Sequence, residues 1–328
     1  MSFNDNVQLD TSQVSSGGSS GGGFGGGGFG GGGGGGSFPG GIQVGGGIGG
    51  LIVLVLMFVF GGNALGGSGT QDPGVAPQNQ GSSLNPSQVA AGGTQSSSGF
   101  SQCRTGADAN KSDQCLVIAT VNSVQAYWAK ALPTYGKQYA MANTVLYSGQ
   151  TRSACGTASN QVGPFYCPLD KLVYIDAGFF QELQSKFGAD GGQLAKEYVI
   201  AHEYGHRVQD ILGILGKAQN DAQGAASGSV RLELMADCLA GTWVKHATET
   251  TDASGTAYLK PITQQDITSA LSAASAVGDD RIQQATQGRV TPETWTHGSS
   301  AARQKWFGAG YSTGDVNRCN TFGVANPE

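Results

Sequence analysis

Two of the four histidines in the chain flank a glutamate at a spacing that suits metal chemistry. His202 and His206 stand four residues apart in the segment AHEYGHRVQ, and Glu203 directly follows the first. On an α-helix, residues four apart point the same way, so both imidazoles can bind one Zn²⁺ while the glutamate reaches a water beside the metal. The spacing alone leaves open a second interpretation, two surface histidines on an amphipathic helix.

A second pair of polar residues favours the metal site. Glu233 and Asp237 are also four apart, in the segment RLELMADCLAG. Catalytic zinc sites use three protein ligands and a water, and one class uses two histidines and a glutamate. We therefore predict Glu233 as the third zinc ligand and Asp237 as the acceptor of the other ring N–H of a ligating histidine. An ordinary solvated acidic face is the alternative, but apolar neighbours such as Leu232 and Leu239 argue against it.

Helices must position these residues, and a helical period is visible through much of the C-terminal part. Asp190 is a plausible N-cap for the helix that carries the histidines. The remaining pattern predicts an α-rich α+β domain with a small sheet. The predicted helices cover 120–132, 177–187, 190–215, 230–248, 263–276 and 299–307, and the predicted strands cover 143–148 and 171–176.

Five sequence blocks together resemble the bacterial neutral zinc metallopeptidase family. They are FYCPLDKLVYID, AHEYGHRVQ, RLELMADCLAG, THGSSAARQKWF and GDVNRCNTF, which lie in this order between residues 165 and 322. The resemblance implies a zincin-like domain that hydrolyses peptide bonds with Zn²⁺ as cofactor. It also implies His202, His206 and Glu233 as ligands, Glu203 as the catalytic acid and base, and a peptide or protein as substrate.

The oxyanion that develops during hydrolysis needs a donor besides the metal. His297, in THGSS, is the candidate, with Tyr311 or Tyr204 as substitutes, although His297 can equally be a surface or capping residue. The segment KLVYID is expected to form a sheet edge that holds an extended peptide. The competing function is a non-catalytic, zinc-stabilised binding or scaffold module outside the cytoplasm.

The first hundred residues differ in composition from the remainder. The chain contains 56 glycines, and many of them lie in one N-terminal stretch. This stretch cannot bury enough apolar surface to fold, so residues 1–40 are predicted to be a disordered tail. Residues 41–62 are apolar and uncharged over a length that fits a transmembrane helix, and a cleaved signal peptide would need a basic start near the N-terminus. Residues 63–100 are predicted to be a flexible linker and residues 101–328 the zinc metallopeptidase domain.

Charge and cysteine content limit the possible partners and the possible cellular compartment. The net charge is −5 and no basic cluster occurs, which argues against nucleic acid as a partner. All six cysteines follow the apolar stretch without a CxxC pair, which favours disulfides in an oxidising compartment over buried free thiols. Hence the chain is expected to be a single-pass protein of the cell membrane with an extracytoplasmic catalytic domain. The preferred pairing, one of fifteen possible for six cysteines, is Cys103–Cys115, Cys155–Cys167 and Cys238–Cys319.

Overall fold

The domain is α+β with a small sheet, as the sequence predicts. A computed structural model of the protein describes residues 2–17, 97–159, 162–219 and 221–328. The α-helices are α1 Gly106–Ala109, α2 Asp113–Ala131, α3 Phe179–Ser185, α4 Gln193–Leu212, α5 Gly228–His246, α6 Gln264–Ala276, α7 Asp279–Gln287 and α8 Ser300–Thr313. The strands are β1 Val14–Gly17, β2 Thr144–Tyr147, β3 Gln150–Ser153, β4 Gly156–Ser159, β5 Phe165–Cys167 and β6 Leu172–Asp176. Short 3₁₀ helices occupy Thr11–Gln13, Ser97–Phe100, Leu132–Tyr135, Leu215–Ala218, Pro292–Thr294, Val316–Cys319 and Thr321–Gly323.

The larger sheet has four strands in the order β1-β2-β6-β5. The β1–β2 and β2–β6 pairs are parallel, whereas β5 runs antiparallel to β6. Strands β3 and β4 form a separate antiparallel pair. The prediction that KLVYID forms a sheet edge is therefore wrong, because β6 lies between β2 and β5. Four of the five residues of β6 are buried, as the run of apolar side chains in a strand with two neighbours requires.

Glycines allow the central helices to approach one another closely. A Cβ at Gly205 of α4 would lie 3.0 Å from the Cα of Ala236 in α5. A Cβ at Gly310 of α8 would lie 1.9 Å from the carbonyl oxygen of Cys238. Any larger residue would push the helices apart, so these glycines set the distance at which α4, α5 and α8 present their polar side chains to one another.

Helix α4 is shorter at both ends than the sequence predicts. It begins at Gln193 with Gly192 as its extended N-cap residue, so Asp190 is not the cap. Asp190 instead accepts a hydrogen bond from the Gly192 amide in a tight turn (Oδ1–N, 2.6 Å). The helix ends at Leu212 because Gly213 takes a left-handed conformation with φ +73°.

The first described residues belong to the domain, which contradicts the predicted disordered tail for residues 2–17. Phe3 and Val7 are fully buried, and Val14 in β1 is nearly so. The Phe3 amide donates to Asn110 Oδ1 at 2.9 Å, and the side-chain amide of Asn110 donates to the Phe3 carbonyl oxygen at 3.0 Å. The rest of the predicted tail, residues 18–40, lies outside the described residues.

The described structure does not support the predicted transmembrane helix. Residues 41–62 lie outside the described ranges, and within those ranges no helix has the length and apolar character needed to cross a membrane.

Three disulfides have the connectivity preferred from the sequence. Cys103 pairs with Cys115, Cys155 with Cys167, and Cys238 with Cys319. The first two are local links between residues twelve apart. The third joins α5 to the 3₁₀ turn that contains Cys319, 81 residues later, and so ties the helix of Glu233 to the C-terminal segment.

Candidate metal centre

The three side chains predicted as metal ligands converge at the contact between α4 and α5. One ligand atom each from His202, His206 and Glu233 lies within 4.8 Å of the other two. The Nε2 atom of His202 is 3.2 Å from Glu233 Oε2, and the Nε2 atom of His206 is 3.3 Å from Glu233 Oε1. The i, i+4 spacing on α4 and the close packing at Gly205 together produce this arrangement.

Both histidine rings are held by their other nitrogen. The Nδ1 atom of His202 lies 2.8 Å from Asp237 Oδ1, on the next turn of α5 after Glu233. The Nδ1 atom of His206 lies 2.9 Å from the side-chain oxygen of Gln209, whose amide nitrogen is used in a 2.6 Å bond to the Leu232 carbonyl. With Nδ1 as the donor in each ring, a neutral imidazole presents its Nε2 lone pair to Glu233.

This arrangement fits a cation. Two neutral Nε2 lone pairs and a carboxylate facing one another at 3.2–3.3 Å would all be acceptors. Burial alone would lower the pKa of His202, but the carboxylates of Asp237 and Glu233 raise it to about 10. Positive charge at this point is therefore favoured, and Zn²⁺ held by His202, His206 and Glu233 would supply it, since two histidines and a glutamate are the ligand set of one class of catalytic zinc site.

Two residues that the sequence did not reveal, Tyr198 and Arg303, surround Asp237. The Tyr198 hydroxyl donates to Asp237 Oδ1. The Arg303 guanidinium donates from Nε to Oδ2 at 2.9 Å and from Nη2 to Oδ1 at 3.0 Å. Burial would raise the pKa of Asp237, but Arg303 and His202 hold it below its ordinary value.

Signals for both residues were present in the sequence. Tyr198 lies four residues before His202, on the same face of α4. Arg303 is the one charged residue in the stretch SSAAR that leads into α8, near the apolar Trp306 and Phe307. A lone arginine on a buried helix face requires a buried anion, and Asp237 is that anion.

Glu203 lies in a cleft beside the predicted ligands. The cleft is lined by Glu203, His202, Glu233 and His297 among others. Burial raises the pKa of Glu203, although the two histidines oppose the shift. A carboxyl group whose pKa is raised by burial keeps its proton to higher pH than an exposed one, which suits a group that both accepts and donates a proton.

His297 is buried with one ring nitrogen engaged and one free. Its Nδ1 atom lies 2.8 Å from the Thr296 hydroxyl and 3.2 Å from Asp279 Oδ1. Its Nε2 atom is buried and has no hydrogen-bond partner among the residues that the structure describes. A buried, unpaired ring nitrogen in the wall of the cleft argues against a surface or capping role.

The two tyrosines considered as substitutes for His297 are placed elsewhere. The Tyr204 hydroxyl is within 2.9 Å of the Thr144 hydroxyl and donates to the Ala142 carbonyl at 3.2 Å, on the side of α4 that faces β2. Tyr311 is not among the residues that line the cleft. His297 is the one of the three candidates that the structure brings to the site.

Comparison with known proteins identifies the family. The family profile described as "Putative neutral zinc metallopeptidase" matches residues 13–322. This range includes all five sequence blocks noted above, and it begins within the N-terminal segment that packs on the domain.

Relatives occur in distant bacteria. The protein Rv2575 of Mycobacterium tuberculosis, strain H37Rv, is 58% identical over 228 residues, which are 69% of this chain and 76% of the relative. The protein YpfJ of Escherichia coli K12 is 39% identical over 284 residues, which are 84% of this chain and 88% of the relative. Both carry the description "uncharacterized protein". No solved structure matches the chain significantly.

Proposed function

The chain belongs to the neutral zinc metallopeptidase family, whose cofactor is Zn²⁺, and from that premise we propose that it hydrolyses peptide bonds at a centre formed by His202, His206 and Glu233. The observation that carries the proposal is the convergence of the two Nε2 atoms on one carboxylate at 3.2–3.3 Å, in the wall of a cleft that also contains Glu203. The substrates are peptides or proteins, as the family implies.

The bound metal would lower the pKa of a water molecule and polarise the scissile carbonyl. Glu203 then removes a proton from that water and later donates one to the leaving amine. Burial raises the pKa of Glu203, which favours the protonated form needed for the second transfer. Asp237 keeps the proton of His202 on Nδ1, so that Nε2 stays available as a ligand.

We assign His297 to the oxyanion that develops on the scissile carbonyl. Its Nε2 atom is buried and unpaired among the described residues. In the neutral tautomer in which Nδ1 accepts a hydrogen bond from the Thr296 hydroxyl, Nε2 carries the ring proton. This tautomer leaves an Nε2–H donor in the wall of the cleft, which is the requirement for oxyanion stabilisation.

A structural zinc site in a non-catalytic module would be closed by four protein ligands. Here the set has three predicted ligands among the described residues, two of which, His202 and Glu233, line a cleft together with the buried Glu203. This difference favours hydrolysis over a purely structural or scaffold role.

The experiment compares zinc content and peptide hydrolysis in the purified full-length chain and in Glu203→Gln. The variant should retain zinc and lose activity by ~10²–10⁴-fold, since the amide cannot take the proton. Glu249→Gln, on an exposed side chain, is the matched control and should behave as wild type. Chelator-sensitive hydrolysis in the wild type supports the proposal. Zinc retention without hydrolysis in the wild type would favour the non-catalytic module.

We further propose that the domain matures in an oxidising compartment, since all six cysteines pair in disulfides. Mass mapping of non-reduced peptides from protein isolated from its own cells tests this. The three bridges found in the structure should appear, and six free thiols would contradict the proposal.

A further inference from the structure

The residues that line the cleft include two chemical groups. The polar groups of the proposed centre come from His202, Glu203, Glu233 and His297. A second group, which we call the apolar wall, consists of Val162, Pro164, Phe179, Phe187, Val199 and Val277. A substrate held at the centre would therefore place a neighbouring group against an apolar surface.

The apolar wall is assembled from separate parts of the fold and meets the centre directly. Val199 lies one helical turn before Glu203 on α4, so the wall begins beside the proposed base. Gly163, which has φ +73°, lies in the loop before β5, and a Cβ there would be 3.4 Å from the Phe179 ring. The loop thus lies against Phe179 and brings Val162 and Pro164 into the wall.

Charges near this wall are already paired. The Arg303 guanidinium is used by Asp237, with bonds of 2.9 and 3.0 Å. Glu182, also in the lining, forms an ion pair with Lys186 at 3.0 Å. A charged substrate side chain placed here would lose its water without gaining a partner, whereas an apolar side chain would lose only contact with water.

We propose that the apolar wall is a specificity pocket for a leucine-, methionine- or phenylalanine-sized side chain on the substrate residue that adjoins the scissile bond. This inference rests on the proposed peptidase function and names its substrate class. The cleft holds about 650 Å³ of empty space when the solvent at its open mouth is included.

Two measurements on the zinc-loaded full-length chain test the proposal. The first determines kcat/KM for peptides that differ in one residue on either side of the scissile bond: Phe, Leu, Ala, Asp or Lys. The second measures the binding of hydroxamates that carry the same five side chains, and it requires no turnover. In both series Phe and Leu should exceed Ala by ~10–200-fold, the range for hydrophobic pockets, and Asp and Lys should rank last.

Variants of the apolar wall test whether it causes the preference for apolar substrate side chains. Phe179→Ala should lower kcat/KM and hydroxamate affinity for the Leu and Phe members by about tenfold, and its zinc content should not change. Phe322→Ala is the matched control, since this partly buried ring packs against Lys217 and does not line the cleft. Val162→Asp should raise the rank of the Lys member relative to the Leu member.

The outcomes separate the two proposals. A flat series, or a preference for Asp or Lys in either measurement, overturns the pocket even if hydrolysis is found. An apolar preference among the hydroxamates without any hydrolysis supports the pocket and contradicts the proposed peptidase function. An equal loss in Phe179→Ala and Phe322→Ala would also count against the pocket.

Discussion

Helices α4 and α5 and the N-terminal segment 2–17 are parts of one domain, but contacts of very different range hold them in place. On α4 the decisive residues, His202, Glu203 and His206, lie within one helical turn. In the N-terminal segment Phe3 pairs with Leu259 across the chain, and the Gln8 amide donates to Asp252 Oδ2 at 2.8 Å, 244 residues away. The spacing of residues on one helix can be predicted from the sequence, whereas contacts between segments far apart in the chain cannot.

Burial does not separate the two regions. Phe3 and Val7 are as deeply buried as any residue of the helix pair, and a Cβ at Gly106 would lie 1.9 Å from the Asn4 carbonyl oxygen. The N-terminal segment is therefore packed as tightly as a core element despite its polar composition and the glycine-rich sequence that follows it. We therefore expect the N-terminal segment to contribute to the free energy of unfolding. We expect it to affect the zinc site only through folding.

The largest expected effect tests whether the N-terminal segment is part of the core. Phe3→Ala should lower the free energy of unfolding by ~3–5 kcal/mol, the usual loss for a buried phenylalanine, while the folded fraction still binds zinc. Chemical denaturation of the full-length chain measures this. Leu169→Ala, at a side chain that is 68% exposed, should change stability by less than ~0.5 kcal/mol. Equal stability of Phe3→Ala and wild type would show that the segment does not pack in solution.

A smaller effect is expected at Asp237, which belongs to the helix pair. Asp237→Asn should weaken zinc binding by ~10–100-fold, because the amide cannot stabilise the ring of His202 in the same way. Competition with a chelator of known affinity gives the value. The matched control is Asp113→Asn, whose carboxylate forms a 2.6 Å pair with Lys196 of α4 near the surface. Unchanged affinity in the Asp237 variant would show that the carboxylate does not support the site.

The last effect concerns pH and belongs to α4. Burial raises the pKa of Glu197 to about 8, although a hydrogen bond from Gln193 opposes the shift. An acid with a raised folded pKa loses stability as pH rises from its unfolded pKa to its folded one. The free energy of unfolding should therefore fall between about pH 5 and pH 8 in the wild type, and less steeply in Glu197→Gln. Denaturation curves across this range measure both slopes, and identical slopes would contradict the assignment.

Much of the fold and of the candidate site was accessible from the sequence because helical spacing reports which side chains share a face. The histidine pair and the Glu233–Asp237 pair were found in this way. Arg303 was missed because its role depends on α8 crossing α5, 66 residues from its partner Asp237. The segment KLVYID was wrongly predicted to lie at a sheet edge, because a run of apolar residues indicates a strand but not which strands pair with it. The disulfide connectivity could be preferred from spacing, but not deduced.

The prediction of a disordered tail is wrong at residues 2–17 for a related reason. It was drawn from the composition of residues 1–40, and composition describes a segment as if it were isolated. Val14–Gly17 pairs with Thr144–Tyr147, more than a hundred residues away, and nothing in the local sequence announces that partner. A polar segment followed by glycine can still join a sheet when a distant strand offers its edge.

The most direct test of the central claim is the zinc content of purified full-length protein and of single ligand variants. We expect close to one zinc per chain in the wild type, and strong loss in both His206→Ala and Glu233→Ala, because a two-ligand site binds zinc weakly. His246→Ala is the control, since this histidine lies at the far end of α5, beside Glu249. Full zinc occupancy in Glu233→Ala would remove that residue from the ligand set and contradict a centre shared by the two helices.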